Sequence, residues 1–183
     1  MRKSIPLEIK VVLMSVLIVA GVSSSGKTTV GRGVAEQSGA RFLDADDLHP
    51  ASNVAKMHAG VPLNDDDREP WLDAIRERIV QAIADQQRLV IAASCLERGH
   101  RRHLIGDSSP ADLRIAFLVV SYQTAFERAH ARHHAFFPET LVKSQFATLE
   151  LPGPDEPNVR IFDGEANLEP LIDEISSYFS SPI

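Results

Sequence analysis

Continuous apolar runs punctuate the chain at Ser15–Ala20 (SVLIVA), Arg88–Ser94 (RLVIAAS) and Arg114–Val120 (RIAFLVV), with weaker ones at Ala40–Asp44 and Asn158–Asp163. They do not alternate with polar residues, which is the pattern of parallel strands covered on both faces. Between them lie helical patterns over Lys27–Ser38, Pro70–Gln86, Gln123–His134 and Leu168–Phe179. Pro70 fits a first helical turn, where its missing N–H costs nothing. Strand alternating with helix predicts a three-layer α/β fold around a five-stranded parallel sheet. The proline-broken segment ELPGPDEP reads as a loop, not a domain boundary. One domain over 15–183, preceded by an N-terminal extension over 1–14, is the expected organisation.

The strongest local signal follows the first run. In GVSSSGKTT, Gly21 to Thr29, two glycines, a lysine and a threonine stand at the spacing Gly-x-x-x-x-Gly-Lys-Thr. Gly21 and Gly26 let the backbone approach phosphate oxygens, and successive N–H groups point inward at a helix N-terminus. Lys27 neutralises β- and γ-phosphates, and the Thr28 hydroxyl is placed to ligate magnesium. With a strand before it and a helix after, the loop Gly21, Val22, Ser23, Ser24, Ser25, Gly26, Lys27, Thr28 and Thr29 predicts a nucleotide triphosphate site. It does not choose among switches, motors and kinases.

Composition narrows the setting. A chain of 183 residues is most economically one domain with its own core. The formal charge of −6 argues against nucleic acid as a partner, since phosphate backbones are held by basic surfaces. Cys95 is the only cysteine, so no internal disulfide forms, which favours a reducing compartment. The start, MRKSIPLEIKVVLMSVLIVAG, has a basic end and an apolar run, but Glu8 and Lys10 interrupt it, Val11–Ala20 is too short to span a bilayer, and no small-residue cleavage site follows. A cytoplasmic protein with no membrane segment is expected, with Met14 an alternative natural start.

Two acidic clusters carry candidate chemistry. FLDADDLHP places Asp44, Asp46 and Asp47 at the carboxyl end of a short strand, the edge that lines the ligand crevice in open parallel sheets. If the segment stays extended, Asp44 and Asp46 point the same way. One carboxylate would help hold magnesium and the other would accept a proton from an attacking hydroxyl. Asp47 reads more readily as a cap for the helix that Pro50 begins. The second cluster, PLNDDDREPW, admits two readings: a helix N-terminus favouring acids, or a substrate site in which Arg68 forks onto a carboxylate.

Taken in order, GVSSSGKTT, FLDADDLHP, NVAKMHAGVPLNDDDREPWL and LVKSQFATLELPGPDEP resemble the gluconokinase family of carbohydrate kinases, from Ser15 almost to the C-terminus. The middle segment and QFATLE…DEP are more specific than the phosphate loop. The resemblance implies an adenylate-kinase-like P-loop NTPase fold with a small helical lid. It also implies transfer of the ATP γ-phosphate to the 6-hydroxyl of D-gluconate, magnesium dependence and often a homodimer. Lys27 and Asp46 are then the expected catalytic residues, with Asp44 and Thr28 on the metal, and with Asp46, His49, Arg68 and Arg101 toward the substrate; for His49 an ordinary capping or surface role is the other reading. A kinase of another sugar acid or polyol, such as a shikimate-type enzyme, is the nearest alternative. A regulatory module without transfer activity is the more distant one.

A lid is expected around 128–140. In FERAHARHHAFFPETL, Arg128 and Arg132 stand four apart, hence on one helical face, where both could close over the triphosphate as catalytic charges; a solvated basic face is the other reading. His130, His133 and His134 have no cysteine or acid to complete a zinc set. Four positions depart from the family pattern. Ser24 stands where glycine is usual, and Ala135 where the lid has histidine. In SCLERGHRRHL, Glu97 replaces a lysine and His100 a tyrosine, while Ser94 and Arg101 are retained. The change at Glu97 reverses a charge, which bears on the acceptor if that position faces it.

Overall fold

The computed structural model of the protein describes residues 15–132 and 139–181. The expected extension over 1–14, the histidines His133 and His134, Ala135 and the centre of the expected lid lie outside the described residues. The chain runs β1 (Val16–Ala20), α1 (Lys27–Ser38), β2 (Arg41–Asp44), a 3₁₀ turn over Ala45–Leu48, α2 (Ala51–His58), α3 (Asp65–Ala84), β3 (Leu89–Ala92), α4 (Arg98–Ile105), β4 (Leu113–Val119), α5 (Tyr122–Arg132), α6 (Glu139–Ala147), β5 (Val159–Asp163) and α7 (Leu168–Ser180).

The strands form one sheet in the order β2-β3-β1-β4-β5, every neighbour parallel. The register sets Ile18 level with Ile91 and Ile115. Side chains then alternate between two cores. Val16 and Ile18 pack with Trp71, Ile75, Ile79 and Leu104 on one face. Leu17 and Val19 pack with Val30, Val34, Leu171, Ile175 and Phe179 on the other. All five β1 residues are fully buried, which is why their sequence shows no polar alternation. Each such branched side chain withdrawn from water contributes about 1.5–3 kcal/mol. Helices on both faces leave the carboxyl strand ends as the open edge. Among the described residues, no helix is long and apolar enough to cross a membrane.

Local chemistry moved some boundaries. The third helix begins at Asp65, not at Pro70, because Asn64 and Asp67 form a reciprocal capping box. The acids Asp65, Asp66 and Asp67 occupy its first turn, where the helix dipole favours them. Pro70 therefore sits inside the helix, where it has no N–H to donate to the Asp66 carbonyl. The short helices α4 and α6 have little apolar periodicity to announce them. In α4 the buried residues are Arg101 and Leu104, so half of its inner face is an arginine.

Candidate active site

Leaving β1, the backbone turns at Gly21 with φ 137°, where a Cβ would lie 2.5 Å from the Leu118 carbonyl oxygen. Only glycine fits there. Gly26, with φ 105°, forms the N-cap of α1. Ser24 adopts φ 62°, so the position usually held by glycine does need the left-handed conformation, and serine bears roughly 1 kcal/mol of strain. Lys27 opens α1 and donates from Nζ to the Val22 carbonyl at 2.8 Å, so its charge lies across the loop. The Ser23 amide donates to Gln145 Oε1 of α6 at 2.5 Å. That contact joins the phosphate loop to the helix following the expected lid. Sequence reading gave Gln145 no role, although it opens the quoted QFATLE segment.

The acids after β2 part company. The expectation of an extended segment is corrected, because Ala45–Leu48 is a 3₁₀ turn and not a continued strand. Asp44 caps it, its Oδ1 accepting from the Asp46 amide at 3.2 Å, while its Oδ2 accepts from Thr28 Oγ1 at 3.0 Å. Thr28 and Asp44 thus present two hard oxygens side by side, a donor set that suits a divalent cation such as magnesium. Asp46 instead lines the adjacent cavity with Lys27. Asp46 is exposed on one side, and the protein packed around its carboxyl group on the other raises the pKa above the usual range; Lys27 pulls it down, and Asp44 and Asp47 push it up. Asp47 is exposed, and α2 has no side-chain cap, so its expected capping role is not realised.

The cavity holds about 330 Å³, room for a small molecule. Ser23, Lys27 and Asp46 line it along with His49, Arg68, Ser94, Glu97, His100 and Gln145. His49 stacks on Trp71 with centroids 4.6 Å apart and rings 7° from parallel, while Trp71 Nε1 donates to the Ala45 carbonyl. The indole therefore links the acidic turn, His49 and α3. Burial, helped by the Arg68 charge, lowers His49 to about 4, so the imidazole is neutral near pH 7. Arg68 Nη1 lies 3.4 Å from Asp65 Oδ1 and 3.8 Å from Glu97 Oε1. His100 Nε2 is 3.9 Å from Asp65, and burial is the main cause lowering its pKa. Of the two readings of NDDDR, the helix cap is realised by Asn64 and Asp67, while Arg68 lines the cavity.

Arg101 is placed elsewhere than expected. It is fully buried, bidentate on Glu156 at 2.7 and 2.8 Å, with Nη1 donating to the Leu96 and Glu150 carbonyls. Its donors are spent on protein, and it does not line the cavity. It acts as a strut between α4 and the proline-rich segment, with Arg98 N–H donating to Glu150 and Arg98 paired with Asp155 alongside. The hydrogen bonds from Arg101 also hold Glu156 below the usual carboxylate range. Arg128 Nη1 donates to the Gly164 carbonyl at 2.9 Å and the Ser25 carbonyl at 3.4 Å, bracing the phosphate loop from α5. The backbone of Arg132 ends α5, but its side chain lies outside the described residues.

Comparison with known proteins agrees with this geometry. A family model described as an AAA domain matches residues 16–152. The chain is 39% identical to a gluconokinase of Gluconobacter oxydans (strain 621H) over 167 residues, covering 90% of this chain and 91% of that one. A crystal structure of a gluconokinase from Sinorhizobium meliloti 1021 superposes with a TM-score of 0.80 at 37% identity, covering 91% of this chain and 92% of the other. A shikimate kinase from Acinetobacter baumannii gives a TM-score of 0.53 at 15% identity over 90% and 92%, a likeness of fold alone.

Proposed function

We propose that this chain, which belongs to the gluconokinase family, transfers the γ-phosphoryl group of ATP to the 6-hydroxyl of D-gluconate, giving 6-phosphogluconate. The observation that carries the reading is one cavity lined by the phosphate-loop Lys27, a carboxylate with a raised pKa at Asp46, and Arg68. Such a cavity offers charge for phosphates, a proton acceptor and a partner for an acid. The likeness to proteins named gluconokinase supports the choice of acceptor.

In this reading the loop from Gly21 to Thr29 wraps the phosphates and Lys27 neutralises charge on the transferring group. Thr28 and Asp44 would hold magnesium, which supplies charge neutralisation on the phosphate oxygens when bound. Asp46 accepts the proton from the acceptor's 6-hydroxyl as that hydroxyl oxygen bonds to the γ-phosphorus and the bond from phosphorus to the β–γ bridging oxygen breaks, releasing ADP. Arg68 pairs with the acceptor carboxylate, and neutral His49, fixed by Trp71, hydrogen-bonds an acceptor hydroxyl. Arg128 holds the loop in shape, with Arg132 the second lid cation. Residues 15–183 act as one kinase domain with its lid around 128–140, in a cytoplasmic homodimer; sedimentation tests the oligomer.

Coupled measurement of ATP consumption across a panel of sugar acids and polyols tests the reading. Gluconate-dependent turnover that requires magnesium is expected. Equal ATP consumption with and without acceptor, or a clear preference for another acceptor, overturns it.

A further inference from the structure

Glu97 occupies the N-cap position of α4, yet its side chain makes no capping hydrogen bond. The Arg98 amide, first in the helix, donates to Glu150 Oε2 at 2.5 Å, reaching across from the chain after α6. Relieved of capping, the Glu97 carboxylate lines the cavity and lies 3.8 Å from Arg68 Nη1. That separation is too long for a hydrogen bond and close to the outer limit of about 4 Å for an ion pair. Arg68 thus already faces two carboxylates of its own chain, Asp65 and Glu97. At this end of the cavity the Glu97 carboxylate offsets the Arg68 charge that an acid acceptor needs.

The two carboxylates are not equal competitors. The Asp65 side chain is 80% exposed, so water and salt screen it, whereas Glu97 is 27% exposed and belongs to the cavity wall. An acceptor carboxylate approaching Arg68 therefore meets Glu97 first, as a like charge at close range.

We infer that Glu97 is a specificity-determining residue, weakening acid acceptors by competing with their carboxylate for Arg68 while leaving uncharged polyols of the same length unaffected. This rests on the reading of Arg68 as the acceptor's carboxylate partner. The opposite role, in which Glu97 merely orients Arg68, gives the opposite result on substitution, because a loosened arginine binds the acid less well.

The test is Glu97→Gln in the coupled assay with gluconate and with sorbitol, the uncharged six-carbon polyol. KM for gluconate falls about threefold to tenfold, while kcat, KM for ATP and any turnover of sorbitol stay at wild-type values. Glu97→Ser makes the same charge change with a different shape, so one misfolded variant does not decide the matter. Glu97→Asp, which keeps the charge, stays close to wild type. Gluconate-dependent turnover with an unchanged or raised KM in the neutral variants overturns the inference and leaves the proposed function standing. Absence of gluconate-dependent turnover in every protein, wild type included, overturns both.

Discussion

The two ends of the cavity are built in contrasting ways. At the phosphate end, one continuous stretch, Gly21–Thr29, supplies the loop, the lysine and the first metal oxygen. At the acceptor end, Arg68 comes from α3, Glu97 and His100 from the start of α4, His49 from the turn before α2 and Gln145 from α6. The phosphate end depends on backbone conformation, so it tolerates few residue types and looks alike wherever it occurs. The acceptor end of the proposed site depends on side chains held by distant struts, so a single exchange such as glutamate at 97 would change its charge.

The largest effect expected is on the strut beneath the acceptor end. Arg101→Ala leaves the Glu156 carboxylate buried without its cation and lowers unfolding free energy by about 3–5 kcal/mol, measured by urea denaturation at pH 7. Because the folded-state pKa of Glu156 is depressed, its contribution is complete above the ordinary glutamate value of 4.5 and is lost as pH falls through the folded value. The difference between wild type and variant therefore narrows in acid. A loss below about 1 kcal/mol at pH 7 would show that the acceptor wall stands without this strut.

Lys27→Ala probes the other end. Its loss lowers kcat by about 10²–10³-fold with an unchanged circular dichroism spectrum and melting curve, since the side chain supplies charge and little packing. Near wild-type turnover in a folded variant would mean that the loop binds nucleotide without stabilising transfer.

Where the two ends meet, Asp46→Asn lowers kcat by roughly a hundredfold and leaves the magnesium response intact, whereas Asp44→Asn weakens that response. The wild-type kcat falls as pH drops through the Asp46 pKa, and this acid limb lies above the ordinary aspartate value of 3.8. Asp46→Asn abolishes the limb. Magnesium titrations that shift only in the Asp46 variant would exchange the two roles.

The smallest effect separates binding from chemistry. Arg68→Ala raises KM for gluconate about tenfold, the lower end for a charged hydrogen bond because Glu97 already contests the arginine, and leaves KM for ATP unchanged. Equal shifts in both constants would return Arg68 to a structural role in the helix cap.

Much of this was legible in the chain. The strand runs, the helices α1 and α7 and the phosphate loop could be read because each is local: apolar residues on successive positions, a glycine where φ must be positive, a lysine at fixed spacing. The start of α3 was misplaced because three aspartates and a proline look like a loop until the capping box is seen to close. Asp44 and Asp46 were paired by an alternation that the 3₁₀ turn abolishes, although Asp44 still meets Thr28 and Asp46 still lines the cavity. Arg101 was assigned to substrate from its motif, and nothing in SCLERGHRRHL reveals that Glu156, 55 positions on, folds back to claim it.

The sequence by itself determined the α/β sheet and the nucleotide loop, since both follow from short-range sterics and from burial on two faces. Only the tertiary structure decided which charges share a cavity: that Glu97 opposes Arg68, that Gln145 meets the Ser23 amide, that Arg101 is structural. Electrostatic partners are set by distance in space, and the crossovers of a parallel sheet bring together at one edge residues that lie far apart along the chain.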